Sequence, residues 1–195
     1  MVATETDDAV AAAIALMGLL ASDGLGPMVH IESVAEAADM VAEQCSPHKD
    51  LSVNSGKGAA IALADALPLV WGGSMLAARA ARRIAEELRR VTGRAALATP
   101  AEDIAPILSA TQPRDPFADP EDEPARPVLV TLDDGNDDRV SANARRVLLD
   151  IAATQQVRVV ELECLDDAGA VGRHVSLLQQ GMYAAAYLGV GYDAY

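Results

Sequence analysis

The chain has 195 residues and a formal net charge of −14, with 29 acidic against 15 basic side chains. That length suits one domain, or one domain with an accessory segment, and the charge argues against nucleic acid, whose phosphates need a cationic face. Hydrophobic residues make up 51% of the chain and aromatics only 3%, which predicts a sizeable core of closely packed, alanine-rich helices rather than a β-sandwich.

Asp7 and Asp8 stand where an N-cap and first-turn acids belong. The run "AVAAAIALMGLLASDG" that follows is apolar on nearly every face and ends at Gly24 in a C-cap pattern. A helix without a polar face is buried between elements or against a partner. Residues 30–45 space Val34, Ala37, Ala38 and Val41 as a helix does, and Pro47 stops it. "NSGKGAAIALADAL" predicts a short third helix from Asn54 or Ser55.

The texture then changes. "LPLVW" is a short strand, and Ser74 to Thr92 a helix with Met75, Leu76, Ile84, Leu88 and Val91 apolar. Arg82, Arg83, Arg89 and Arg90 suit the negative end of its dipole, and Gly93 closes it. "RAALAT" is a marginal strand. "PAEDIAPILSA" opens like a helix with Pro100 near its first position, and Pro106 limits its length. Residues 111–127, "TQPRDPFADPEDEPARP", form an acidic, proline-rich surface loop or linker. "VLVTL" (128–132) is the clearest strand, followed by "DDGNDD" and an amphipathic helix over 139–156. "VRVVELEC" (157–164) is another strand. A last helix carries Val175, Leu178, Met182, Ala185 and Leu188 on one face.

Alternating strands and helices build a parallel sheet with helices on both faces. The expected organisation is an α-helical segment over 1–66, then a three-layer α/β/α lobe of flavodoxin-like type over 67–195. The amino terminus, "MVATETDDAV", is acidic, unlike a signal peptide, and the longest apolar stretch, Ala9 to Ala21, is too short to span a bilayer. A cytoplasmic protein without membrane partners is expected, with Cys45 and Cys164 as free thiols.

Gly72-Gly73-Ser74 lies between a strand and a helix. Free N–H groups at a helix start favour a phosphate, so these three residues are the candidate ligand site. A tight turn with Ser74 as N-cap accounts for the same residues, and geometry is the favoured reason for the glycines. Asp133, Asp134, Asp137 and Asp138 follow a strand at the edge where such folds carry their sites. They lack the glycine register and distal glutamate of a calcium loop and suit helix capping in solvent. His30, His48 and His174 show no metal-ligand spacing. No metal, cofactor or catalytic motif is legible from these residues.

The order "VNSGKGAAIALADALPLVWGGSMLAARAARRIAEEL … VLVTLDDG … RVVELECLDDAGAVGRHVSLLQQGMYAAAYLGVGYD" resembles the C-terminal half of the bifunctional phosphoglucose/phosphomannose isomerase family. Its members carry two SIS (sugar isomerase) lobes, and this chain looks like the second. Asn54 and Lys57 match the family's "N-x-x-K" start, and the helix at 9–22 its crossover between lobes. The resemblance implies aldose–ketose isomerisation of a sugar 6-phosphate by a carboxylate base and a ring-opening histidine.

This chain departs from that pattern. The base sits in an "N-E-N-x-K" motif where this sequence has "LRRVTGR", with Arg90 near the glutamate's place. An arginine stays protonated and has no basic lone pair. Glu86 and Glu87 are near, but they suit solvated pairs with arginines three or four residues away. The histidine's "NHNE"-like segment is "TPAEDIAPI", with Asp103 or Ile104 nearby and no histidine. The family holds its phosphate mainly in the first lobe, and its polar residues beyond the last helix have no counterpart before Tyr195.

The implied function is a SIS-like phosphosugar isomerase relative that binds a sugar phosphate or dimerises and has no catalytic residues of its own. Its expected partner is a second copy or another SIS lobe. One alternative is an active glucose/mannose 6-phosphate isomerase completed by a partner lobe. The other is a purely structural interaction protein docking through helix 9–22.

Overall fold

Four strands, all parallel, set the frame. The computed structural model describes residues 9–25, 28–112, 125–135, 138–164 and 169–192. Asp7, Asp8, Asp137 and most of the 111–127 segment lie outside them. The helices α1 (Ala9–Ser22), α2 (Ile31–Gln44) and α3 (Ser55–Leu63) come first, with a 3₁₀ turn, Leu51–Val53, before α3. Then β1 (Leu67–Gly72), α4 (Met75–Thr92), β2 (Leu97–Ala98), α5 (Ala101–Ser109), β3 (Pro127–Asp133), α6 (Arg139–Thr154), β4 (Arg158–Glu163) and α7 (Gly169–Gly191) alternate.

The sheet order is β2-β1-β3-β4. Trp71 stands beside Thr131 across the β1–β3 pair, and Thr131 beside Glu161 across β3–β4. Alternation along each strand sorts the core into two layers. Val70, Val128, Val130 and Leu132 pack with Ala77, Ala81, Ile84 and Leu88 of α4 and Leu177, Ala184 and Leu188 of α7. Leu69, Trp71 and Leu129 pack on the other face with Ile104 and Leu108 of α5 and Leu148 and Ala152 of α6. The fold is therefore the three-layer α/β/α sandwich the alternation predicts.

Caps fix the helix boundaries. Asn54 Oδ1 accepts from Lys57 N at 2.9 Å and Ser74 Oγ from Ala77 N at 3.0 Å. Gly93 ends α4 at φ 66°, a conformation that costs a side chain and suits glycine. Gly24, at φ 71°, ends α1 while Leu25 N donates to Leu20 O at 2.8 Å. Pro106 does not end α5, which runs on to Ser109 because Ile104 and Leu108 anchor it on either side of the lost N–H.

Asn54 and Lys57 work as a clamp. Asn54 Nδ2 donates to Ser46 O at 2.9 Å, while Lys57 Nζ donates to the carbonyls of Pro47 and Lys49, each at 2.8 Å. The same ammonium lies 5.7 Å from the Tyr187 ring centre. The loop after α2 is thereby tied to α7, and Ala59, Ala60 and Leu63 of α3 join the core of the strand–helix lobe.

Alanine and glycine let α4 and α7 approach closely. A Cβ on Gly181 would lie 2.3 Å from both Cδ1 and Cγ1 of Ile84. Gly181→Ala is accordingly expected to cost about 1–3 kcal/mol, the usual penalty of overpacking. Urea unfolding checks this. A midpoint equal to the native one would show that the two helices do not meet there.

Candidate functional site at the strand switch point

β1 sends its chain through α4 to β2, on one side of the sheet. β3 sends its chain through α6 to β4, on the other. The two helices leave on opposite faces, so the loops after β1 and β3 part, which is where open α/β sheets bind ligands.

Gly72 and Gly73 sit at this point for reasons of space. A Cβ on Gly72 would lie 2.4 Å from the carbonyl carbon and 2.5 Å from the carbonyl oxygen of Ala77. One on Gly73 would lie 2.6 Å from Ser141 Cβ and 3.0 Å from the Trp71 ring. The first glycine lets the opening turn of α4 press on β1, and the second lets α6 do so. Ser74 is committed twice: its Oγ accepts from Ala77 N and donates to Asp134 Oδ2 at 2.5 Å. The hydroxyl proton thus joins the two loops and holds an aspartate carboxylate beside the N-cap of α4.

The other acids of this edge are also engaged. Asp138 caps α6, accepting from both N and Oγ of Ser141 at 3.0 Å, and these bonds hold its carboxyl below the usual range. Asp133 accepts from Gly135 N at 2.9 Å and lies 3.6 Å from Arg145, which also pairs with Glu161. Among the described residues no three potential ligands gather as a metal site.

His174 of α7 approaches from the α4 side, its Nδ1 3.0 Å from Leu76 O. Burial pushes its pKa below the ordinary histidine value, against the carbonyl's pull; Arg79 adds to the fall and Asp134 opposes it. The Cys164 thiol is pushed up by burial, with Arg173 opposing, so it is a poor nucleophile. His30 and His48 are exposed and distant in the fold, before and after α2.

Beside the joint, at the end of β1 and bounded by α4, α5 and α6, lies a cleft of about 270 Å³. Val70, Trp71, Ala81, Ala98, Val140 and Ala144 give it apolar walls. Its polar rim comprises Gly72, Gly73, Thr99, Ser141, Arg82 and Glu102. Thr99 Oγ1 donates to Asp103 Oδ2 at 2.7 Å and Ser141 Oγ to Asp138, so neither hydroxyl proton is free. Arg82 and Glu102 carry no sequence signal of a site. They line one cleft because the two-residue β2 carries the chain from α4 on one face of the sheet to α5 on the other, and a strand that short leaves little pattern to read.

The model of the bacterial phospho-glucose isomerase C-terminal SIS domain matches residues 52–194. The chain belongs to that family. A crystal structure of a glucose-6-phosphate isomerase like protein from Thermus thermophilus superposes on this SIS domain with a TM-score of 0.65 at 19% identity. The match covers 96% of this chain but 58% of the other, so the chain spans little more than half the length of that structure. At that identity the likeness is one of fold. No curated protein matches the chain.

In this SIS domain the residues near the family's base position lie outside the cleft. Arg90 is eight residues past Arg82 on α4, about 12 Å along the axis at ~1.5 Å per residue. It donates from Nε to Glu87 Oε2 at 3.0 Å and from Nη2 to Oε1. Glu86 takes Arg83 at 3.2 Å. Both glutamates therefore pair with arginines three residues away, but Glu87 is buried rather than solvated. By contrast, Thr99 to Glu102, from the segment at the place of the ring-opening histidine, does line the cleft, with Pro100 and Ala101 between them.

The Arg90 hydrogen bond holds the Glu87 carboxyl below its ordinary 4.5, burial opposing and the charges of Arg90 and Arg83 assisting. A depressed carboxylate contributes stability that is present above the unfolded value and lost as pH falls through the folded one. Unfolding followed from roughly pH 5 to 3 should show a steeper loss in the native protein than in Glu87→Gln. Parallel curves would show that the pair adds nothing.

Proposed function

We propose that this SIS domain binds a phosphosugar in the cleft and pairs with a second SIS lobe, in another copy or another chain, without isomerising sugars by itself. Aldose–ketose isomerisation needs a base to carry a proton between neighbouring carbons and an acid to open the ring. One observation carries the reading: among the described residues the cleft is lined by one carboxylate, Glu102, and by no imidazole or ammonium group. Ser74 serves as the loop joint, and Arg82 supplies the cleft's cationic group.

A coupled assay tests this, converting glucose 6-phosphate or mannose 6-phosphate to fructose 6-phosphate with the purified chain. The rate should equal the buffer blank. Saturable turnover by the isolated chain, abolished in Glu102→Gln, would contradict the proposal. The presence of Glu102 in the cleft favours a second reading, an isomerase whose acid comes from a partner lobe. Turnover that arises only on adding that lobe would mark it.

A further inference from the structure

We infer that the outer face of α1, continued by Leu25, Met28 and Ile31, is the surface through which two copies of this chain pair. The inference rests on the pairing in the reading above and names both its surface and its occupant.

α1 is apolar on every side, yet only one side is covered. Its sequence, AVAAAIALMGLLAS, carries no charge. A helix of that kind belongs in an interior or against a partner, but none of residues 10–22 is buried. The inner side meets the lobe at Val10, which packs against the core layer of α4 and α7, and at Gly18, where a Cβ would lie 3.0 Å from Ile31 Cδ1. At ~100° per residue, Leu16 and Leu20 stand on the far side of the helix from Gly18. Leu16 is 58% exposed, and Leu19, Leu20, Leu25, Met28 and Ile31 are open with it.

The area is that of an interface. These six residues expose roughly 600 Å² together, at the upper end of the ~300–600 Å² that a monomer leaves bare in one patch. It is also the greater part of the ~800 Å² that each partner gives to a standard interface.

Charge points to the occupant. Each copy carries −14, so two copies repel over most of their surface, and an uncharged face is where they can meet. No Lys or Arg occurs among residues 9–48, while the exposed Asp23 and Glu32 stand at the margins. The surface therefore offers nothing to hold anionic lipid headgroups or an acidic partner. Its leucines need apolar surface of the same kind, and a two-fold contact supplies it by setting the face against itself. Interfaces between identical copies are accordingly the more apolar ones.

Analytical ultracentrifugation of the native chain, of Leu16→Lys/Leu20→Lys and of Met75→Lys tests this. Met75 is also exposed but stands on α4. The native chain and Met75→Lys should sediment as dimers at micromolar concentration. The double variant should dissociate at least about tenfold more readily, with native circular dichroism showing that it folds. Added salt should tighten the native dimer, because it screens the marginal acids and leaves apolar contact intact. A dimer that salt weakens would be held by ion pairs and would overturn the inference. A native dimer unmoved by the double substitution, or broken equally by Met75→Lys, would overturn it while leaving pairing between copies intact. A native monomer would overturn both, leaving another chain as the partner. A monomer that floats with neutral phosphatidylcholine vesicles, and ceases to in the double variant, would give the face to lipid instead.

Discussion

Two helices press on the end of one strand, and much of the site follows from that contact. The first turn of α4 and the first turn of α6 reach the backbone of Gly72 and Gly73 at distances no side chain would permit. Interiors are packed too densely to absorb a misplaced methyl group there. The requirement is one of space and not of dihedral angle, since neither glycine adopts a positive φ. The contact brings the loops after β1 and β3 within reach of a single hydrogen bond, from Ser74 to Asp134.

That bond has an electrostatic consequence. A helix start is a natural anion site because its N–H groups point outward and its dipole is positive there. At α4 the serine that would complete such a site accepts from its own helix and donates to an aspartate. The positive end of the dipole is answered from within the chain. Glu86, Glu87, Asp133 and Asp138 likewise each have a partner close by. Arg82 and Glu102 line the neighbouring cleft without pairing with each other.

Much of the fold was legible because it is written locally. Helical spacing marked α2, α4, α6 and α7, and the caps at Asn54, Ser74 and Gly93 marked boundaries to within a residue or two. Pro106 misled because the rule against proline inside helices is local, while the anchoring of Ile104 and Leu108 is tertiary. The candidate site was legible only in part. Gly72, Gly73 and Ser74 were singled out, with geometry favoured over a ligand as the reason, yet the atoms that require the glycines belong partly to Ser141, far along the chain. Arg90 drew notice by its place in a motif, but it lies well past the cleft on α4 and is spent on Glu87. Arg82 was read only as a charge suiting the helix dipole and Glu102 was not singled out, because their place in one cleft is set by the tertiary fold, which no linear pattern encodes.

The central claim is that the start of α4 is a joint and that ligand chemistry belongs to the neighbouring cleft. Amide chemical shifts of the ¹⁵N-labelled chain, followed by NMR as glucose 6-phosphate is added, test it most directly. Saturable shifts at Arg82, Thr99 and Glu102, with Met75 and Leu76 unmoved, are predicted. Saturable shifts centred on Ser74, Met75 and Leu76, with Arg82 and Glu102 silent, would contradict it.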